Sequence, residues 1–205
     1  MIRVALTGGI GTGKTYVRRR LEAMGVPTID ADQLAREALA PGTPGLGAVV
    51  ARFGPHVLDG HGHLDRRALA AIVFSDAGAR RDLEAIVHPA VRRAIDAWFD
   101  TLNPDTTPYA VADIPLLYET GRDRHFPTVI VVACAPAVQF ARVVERDGMS
   151  VDDARRRIAA QLPIEEKAAR ADHVVRTDGT FSDTDAQVDR LHRELGSRKG
   201  SSLAQ

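Results

Sequence analysis

The sequence is short of several things that would decide its class. A single cysteine, Cys134, excludes an internal disulfide, and its place in an apolar run makes it a buried core thiol in a reducing compartment rather than a reactive group. Charge of one sign is not in excess: Lys plus Arg is 27, Asp plus Glu is 27, and the formal net charge is zero. That balance excludes a broad polyanion-binding surface for nucleic acid or anionic membrane, so any anion site is local. No apolar run approaches the ~18 residues of a membrane span. The apolar start Met1 to Leu6 is too short for a signal peptide and runs into a glycine-rich turn, so the expected compartment is the cytoplasm. Internal repeats are lacking. Lysine is scarce as well: Lys14, Lys167 and Lys199 are the whole set, and every other basic residue is an arginine.

What is present suits a globular protein: 205 residues, 44% hydrophobic and 26% charged. At about 150 residues per domain, this is one domain with room for an insertion or a lid. The run Ile2 to Thr7, stopped by Gly8-Gly9, predicts a buried strand ending in a turn. Lys14 to Met24 has Val17, Leu21 and Met24 at helical spacing and Gly25 as its stop. Val26 to Ile29 reads as a second strand, cut off by Asp30-Ala31-Asp32, with Asp32 as the N-cap of a helix through Leu39. Four helices follow, at Leu46–Phe53, Arg66–Phe74, Ala77–Val87 and Ala90–Leu102. Tyr109–Ala112 and Thr128–Cys134 then read as buried strands. Pro136–Arg146 and Val151–Gln161 are helices, His173–Arg176 a weak last strand, and Asp183–Leu195 a last helix.

This alternation implies an α/β fold: a parallel sheet of about five strands with helices on both faces. The expected organisation is one domain over 1–195, with a core at about 1–31, 104–137 and 171–195, a helical insertion at 32–103, a helical lid at 138–170 and a disordered tail at 196–205. The state expected is a monomer or a small homo-oligomer.

Gly8-Gly9-Ile10-Gly11-Thr12-Gly13-Lys14-Thr15 fits the phosphate-loop pattern G-x-x-x-x-G-K-[ST] in the strand-to-helix setting it requires. The chain's own residue frequencies make a chance match on the order of 0.002. Glycines let successive N–H groups converge on phosphate oxygens, and the helix N-terminus adds positive potential. Lys14 bridges the outer phosphates, and the Thr15 hydroxyl ligates Mg²⁺. Gly9 through Thr15, with Tyr16 after them, are therefore the candidate ATP contacts, and the sheet is of the P-loop NTPase type.

Asp30 and Asp32 fall at the C-terminal end of the second strand, the edge that faces the ligand crevice in open parallel sheets. A carboxylate there accepts a proton from an attacking hydroxyl; either acid fits. Asp113, ending the third strand, stands where an acid reaches Mg²⁺ directly or through water. Gln139, Arg142 and Arg146 share a helix face, and Arg155, Arg156, Arg157 and Gln161 follow on the next helix. Guanidinium forks on a closing segment match the charge of a transferring phosphoryl group; the acids Glu145, Asp147, Asp152 and Asp153 mark about half of these arginines as a solvated face. His61-x-His63 has no third ligand at sensible spacing, so no metal site is expected there.

Taken in order, these segments resemble the dephospho-CoA kinase family from about Val4 to Asp189. The likeness rests on Leu6-Thr7 with the phosphate loop, Ile29-Asp30-Ala31-Asp32 with Ala35-Arg36, and Pro41-Gly42. It continues through Leu64-Asp65-Arg66-Arg67, Val73-Phe74-Ser75-Asp76, Leu83-Glu84 with His88-Pro89, and Pro115-Leu116-Leu117-Tyr118-Glu119. Gln139 with Arg142 and Arg146-Asp147, then Arg157-Ile158 with Gln161, complete it. The resemblance implies that ATP, with Mg²⁺, phosphorylates the ribose 3′-hydroxyl of dephospho-CoA, the last step of coenzyme A biosynthesis, on a nucleotide core with an acceptor-binding insertion and a lid. It implies Asp32 as the favoured base with Asp30 second, Arg142 as the lid arginine at the phosphoryl group, and Thr7 as a neighbour of the reacting groups. Asp32, Arg36, His88, Pro115, Leu116 and Leu117 would line or support the acceptor pocket. Two positions depart from the family pattern: Thr177, in Arg176-Thr177-Asp178-Gly179, stands where Asn is frequent, and Tyr16 stands where a small hydroxyl residue is usual.

Other readings remain: a different small-molecule P-loop kinase, and a binding module that kept the loop without catalysis. A GTPase-like switch would carry an N-K-x-D segment, which this sequence lacks.

Overall fold

The structure is a computed structural model that describes residues 1–197, without the side chains of Arg146 and Asp147. The first apolar run forms β1 (Ile2–Gly8), and helix α1 (Lys14–Ala23) follows the glycine-rich loop. With β2 (Thr28–Asp30), β3 (Tyr109–Asp113), β4 (Thr128–Ala133) and β5 (His173–Arg176) it makes a five-stranded sheet in the order β2-β3-β1-β4-β5. β1 runs parallel to β3, with Val4 beside Val111, and parallel to β4, with Val4 beside Thr128; β4 and β5 are parallel too. The strand that opens into the loop is thus the central one.

Alternate residues of the strands point to opposite faces. Val4, Leu6, Tyr109, Val111, Ile130 and Val132 share one core with Val17 and Leu21 of α1. Val188, Leu191 and Leu195 of α9 (Phe181–Ser197) close the same cluster. The residues between them are mostly small, Ala5, Ala110, Ala112 and Ala133 among them, and equally buried. A sheet buried on both faces explains why its strands read as unbroken apolar runs. Each fully buried Val or Leu contributes about 1.5–3 kcal/mol.

Contacts divide the chain into two units, Met1–Ile29 with Leu102 onward, and Asp30–Thr101. The second contains α2 (Ala31–Glu37), α3 (Pro44–Phe53), α4 (Arg66–Ser75) and the long α5 (Ala77–Thr101). α5 packs against the other three over a core of Leu39, Val49, Phe53, Val57, Leu69 and Ala79. The first unit adds α6 (Pro136–Asp147), α7 (Val151–Ala159) and α8 (Ile164–Ala169).

The structure corrects several expectations. Pro89 does not divide two helices but lies inside α5. Its apolar stripe runs through the break, with Leu83, Ile86 and Val87 packed before it and Val91, Ile95 and Phe99 buried after it. Burial of that stripe outweighs the lost N–H. Helix α8 went unforeseen, because the six residues after Pro163 span less than two helical turns and show no repeating apolar period. α9 begins two residues earlier than expected and carries Gly196 and Ser197 as helix, and the rest of the expected tail, 198–205, lies outside the described residues. Asp30, still extended at φ −104°, caps α2 through its side chain, which accepts from the N–H groups of Asp32 (2.8 Å) and Gln33 (3.3 Å). Asp32 is therefore the second residue of the helix, not its cap.

A proline ring inside a helix costs about 3 kcal/mol in an unpacked setting. Pro89→Ala is expected to raise the stability by about 1–3 kcal/mol, read as a higher urea midpoint. An unchanged or lower midpoint would mean that ring packing outweighs the missing hydrogen bond.

Candidate active site

The loop between β1 and α1 turns twice through the left-handed region, at Gly11 (φ 76°) and Gly13 (φ 85°), where a side chain would be strained. Three of its carbonyls are held by side chains from the C-terminal half of the chain. Gly8 O accepts from Lys167 Nζ (3.2 Å), Ile10 O from Gln139 Nε2 (2.9 Å) and Thr12 O from Thr177 Oγ1 (2.8 Å). In a planar trans peptide the N–H points opposite to the C=O. The amides of Gly9, Gly11 and Gly13 are thereby turned away from these three partners. Ile10 is held from its other side as well, its N–H donating to Gln161 Oε1 (2.8 Å). Gly13 is the N-cap of α1, whose first turn carries no acid to offset its positive end.

Lys14 donates to the carboxylate of Asp113, which is 2% exposed at the end of β3, and Arg18 Nε approaches the other oxygen at 3.5 Å. The structure thus brings together Lys14, expected at the outer phosphates, and Asp113, expected at Mg²⁺. Thr15 is exposed on the first turn of α1. Mg²⁺ in phosphoryl-transfer sites takes only one or two protein oxygens beside phosphates and water, and a Thr hydroxyl with one carboxylate is a donor set of that kind. Among the described residues no group of three His, Cys, Asp or Glu could hold a metal, the His61 and His63 pair included.

A cavity of about 740 Å³, within the usual range for a small-molecule site, opens beside the loop. Gly11, Gly13, Tyr16, Arg142, Thr177 and Phe181 line it. Tyr16 is positioned by a hydrogen bond to Asp185 (2.8 Å) and by the Phe181 ring, 4.8 Å between centroids. Arg142 was expected at the transferring phosphoryl group. Its fork holds Thr177, donating to Oγ1 (2.9 Å) and to the carbonyl (2.7 Å), and it forms part of the cavity wall. Thr177 thus links the arginine to the loop. The Arg146 side chain lies outside the described residues. Arg155 and Arg156 are exposed and paired with Asp152 and Asp153, a solvated face.

Thr7 was expected near the reacting groups, but it is 0% exposed and donates to Pro115 O (3.1 Å). It ties β1 to the segment after β3. In that segment Leu116 is 44% exposed whereas Leu117 is fully buried, so Leu117 supports the surface without lining it. In the Asp30–Thr101 unit, Arg36 is exposed on α2 and His88 half-buried on α5. Asp32 is exposed, and its carboxylate makes no hydrogen bond to a described residue.

Sequence reasoning missed Lys167. It is fully buried, and besides Gly8 O it reaches Pro115 O (3.4 Å) and Glu119 Oε1 (2.6 Å). The available signal was its rarity, one of three lysines in a chain that otherwise uses arginine. Cys134 is buried, and burial pushes its thiol above the usual range, as a core thiol requires.

The family model for dephospho-CoA kinase matches residues 2–183. The chain is 47% identical over 200 residues to a dephospho-CoA kinase of Anaeromyxobacter dehalogenans, covering 98% of this chain and 95% of that protein. Among solved structures, a Thermus thermophilus protein matches with TM-score 0.81 at 36% identity, over 95% of this chain and 97% of that one. A dephospho-CoA kinase from Campylobacter jejuni matches with TM-score 0.74 at 25% identity, over 96% and 98%.

Asp30→Ala is expected to lower stability by about 1 kcal/mol through loss of the cap, and Asp32→Ala to stay within about 0.5 kcal/mol. Urea midpoints of the two variants check this, and equal losses would contradict the division of labour between them. Cys134 is expected to stay unlabelled by iodoacetamide in the folded protein and to take one label in guanidinium, by intact mass. Rapid labelling of the folded state would place the thiol at the surface.

Proposed function

Because the chain belongs to the dephospho-CoA kinase family, we infer that it transfers the γ-phosphoryl group of ATP to the ribose 3′-hydroxyl of dephospho-CoA, giving CoA and ADP. The observation that carries this is the extent of the family match, residues 2–183, which takes in the phosphate loop and the whole Asp30–Thr101 unit. The loop alone would indicate only a nucleotide.

In this reading the phosphates of ATP lie against the amides of the loop and the N-terminus of α1, and Lys14 supplies the cation for the outer phosphates. Thr15 and Asp113 would hold Mg²⁺, which when bound adds positive charge where phosphate charge develops. Asp32 takes the proton from the acceptor hydroxyl. In support, Asp30 already uses its carboxylate as a helix cap, while the Asp32 carboxylate is exposed and uncommitted among the described residues. Arg142, in the wall of the cavity with Tyr16 and Thr177, contacts the nucleoside rather than the moving phosphoryl group. Arg36, His88, Pro115 and Leu116 contact the acceptor. The Asp30–Thr101 unit serves as the acceptor-binding insertion, and α6 to α8 as the lid. No described helix is long and apolar enough to cross a membrane; we place the enzyme in the cytoplasm.

Incubation with Mg²⁺, ATP and dephospho-CoA, with adenosine, shikimate and gluconate as parallel acceptors, is expected to yield CoA by mass spectrometry. Lys14→Ala is expected to lower kcat about 100-fold or more. Asp32→Asn is expected to lower kcat by about 100-fold or more while ATP affinity changes less than about twofold. ATP binding without CoA formation would point to another acceptor, and near-normal turnover of Asp32→Asn would reassign the base.

A further inference from the structure

We propose that Lys167 is a positioning residue for the phosphate loop, a buried ammonium that holds the loop's first carbonyl and so sets the amides that receive the phosphates. Lys167 donates hydrogen bonds to two carbonyls, Gly8 O at 3.2 Å and Pro115 O at 3.4 Å, and forms an ion pair with Glu119 Oε1 at 2.6 Å. Its side chain is 0% exposed. A buried charge persists only where its partners replace water, and here all three are in place.

Each of the three partners leads somewhere different. Gly8 is the last residue of β1 and the entry to the loop. Pro115 O also accepts from Thr7 (3.1 Å), fastening the segment after Asp113 to β1. Glu119 Oε1 accepts from Leu162 N (3.0 Å), at the approach to α8, where Lys167 itself resides. Lys167 therefore lies where the loop entry, the 115–119 segment and α8 meet. A shift of the ammonium would release the Gly8 carbonyl and with it the orientation of the Gly9 amide in the same peptide. Arginine, the chain's usual cation, carries a planar fork and would not serve three acceptors around one nitrogen. That requirement accounts for a lysine at this position.

The inference deepens the kinase reading and rests on it only in taking the ligand of the loop to be the polyphosphate of ATP. It is tested by calorimetric titration of ATP and of adenosine into the wild type, Lys167→Met, Glu119→Gln and the double variant, with thermal midpoints taken alongside. Adenosine reports the cavity wall and ATP the loop. In Lys167→Met the affinity for ATP is expected to fall about tenfold or more while that for adenosine stays within about twofold. The single variant leaves Glu119 without its counter-ion, so its midpoint falls. The double variant removes both charges and is expected to regain the midpoint without regaining ATP affinity. Should Lys167→Met not fold, the double variant decides. ATP affinity within twofold of wild type, parallel loss of ATP and adenosine, or recovery of ATP affinity together with the midpoint would each show a merely structural role and overturn the proposal. A wild type that binds ATP but makes no CoA would overturn the kinase reading and leave the ATP-to-adenosine ratio to decide on Lys167. A wild type that does not bind ATP would overturn both.

Discussion

A phosphate loop works only if its amides face one point, and in this protein that geometry depends on carbonyls being held the other way. Gly8, Ile10 and Thr12 each give their oxygen to a side chain, from Lys167, Gln139 and Thr177 respectively. These donors belong to α8, to α6 and to the turn after β5, so the central strand and the C-terminal half of the chain are joined at the loop. The glycines permit the turn, and the bonds select one conformation among those that the glycines permit. Preorganisation of this kind is what lets backbone dipoles act on phosphate charge without rearranging when the ligand arrives.

The same site explains an uneven use of cations. Arginines dominate the basic residues, yet Arg155 and Arg156 of α7 are exposed and paired with neighbouring acids, a kind of ion pair worth about 0–1 kcal/mol. The two described lysines occupy shielded positions, Lys14 against Asp113 and Lys167 against Glu119. A compact ammonium with three freely directed donors suits convergent oxygen acceptors, whereas a guanidinium suits a flat partner or a two-pronged one. Arg142 illustrates the second case, its fork closing on the hydroxyl and the carbonyl of a single residue, Thr177.

Two acids two residues apart show how local backbone geometry divides roles. Asp30 ends a strand and still has extended dihedrals, which is the condition for a side chain to reach back over the first turn of a helix. Asp32 is already helical and cannot make that bond, and its carboxylate is left exposed. The pattern Asp-Ala-Asp is symmetrical in composition, and only the point at which the chain turns from strand to helix breaks the symmetry.

Much of the fold was legible in the sequence. The strand runs, the helix stops at glycine and the loop motif are local signals, and each element they mark exists within a few residues of its expected place. Pro89 was misleading because its helix-breaking tendency is intrinsic, whereas the stripe from Leu83 to Phe99 that overrides it acts through packing. α8 was hidden because six residues carry too little periodicity to register. At the site, Gly9 to Thr15 and Asp113 were legible from spacing and strand ends, and Lys167 was not, since its chemistry comes from burial. By itself, the sequence determined the alternation of strand and helix and the position of the phosphate loop, because both depend on neighbours a few residues apart. Tertiary structure alone decided which side chains hold the loop and which lysine is buried. Those bonds join residues 129 to 165 positions apart, and only the packing of the sheet brings them within reach.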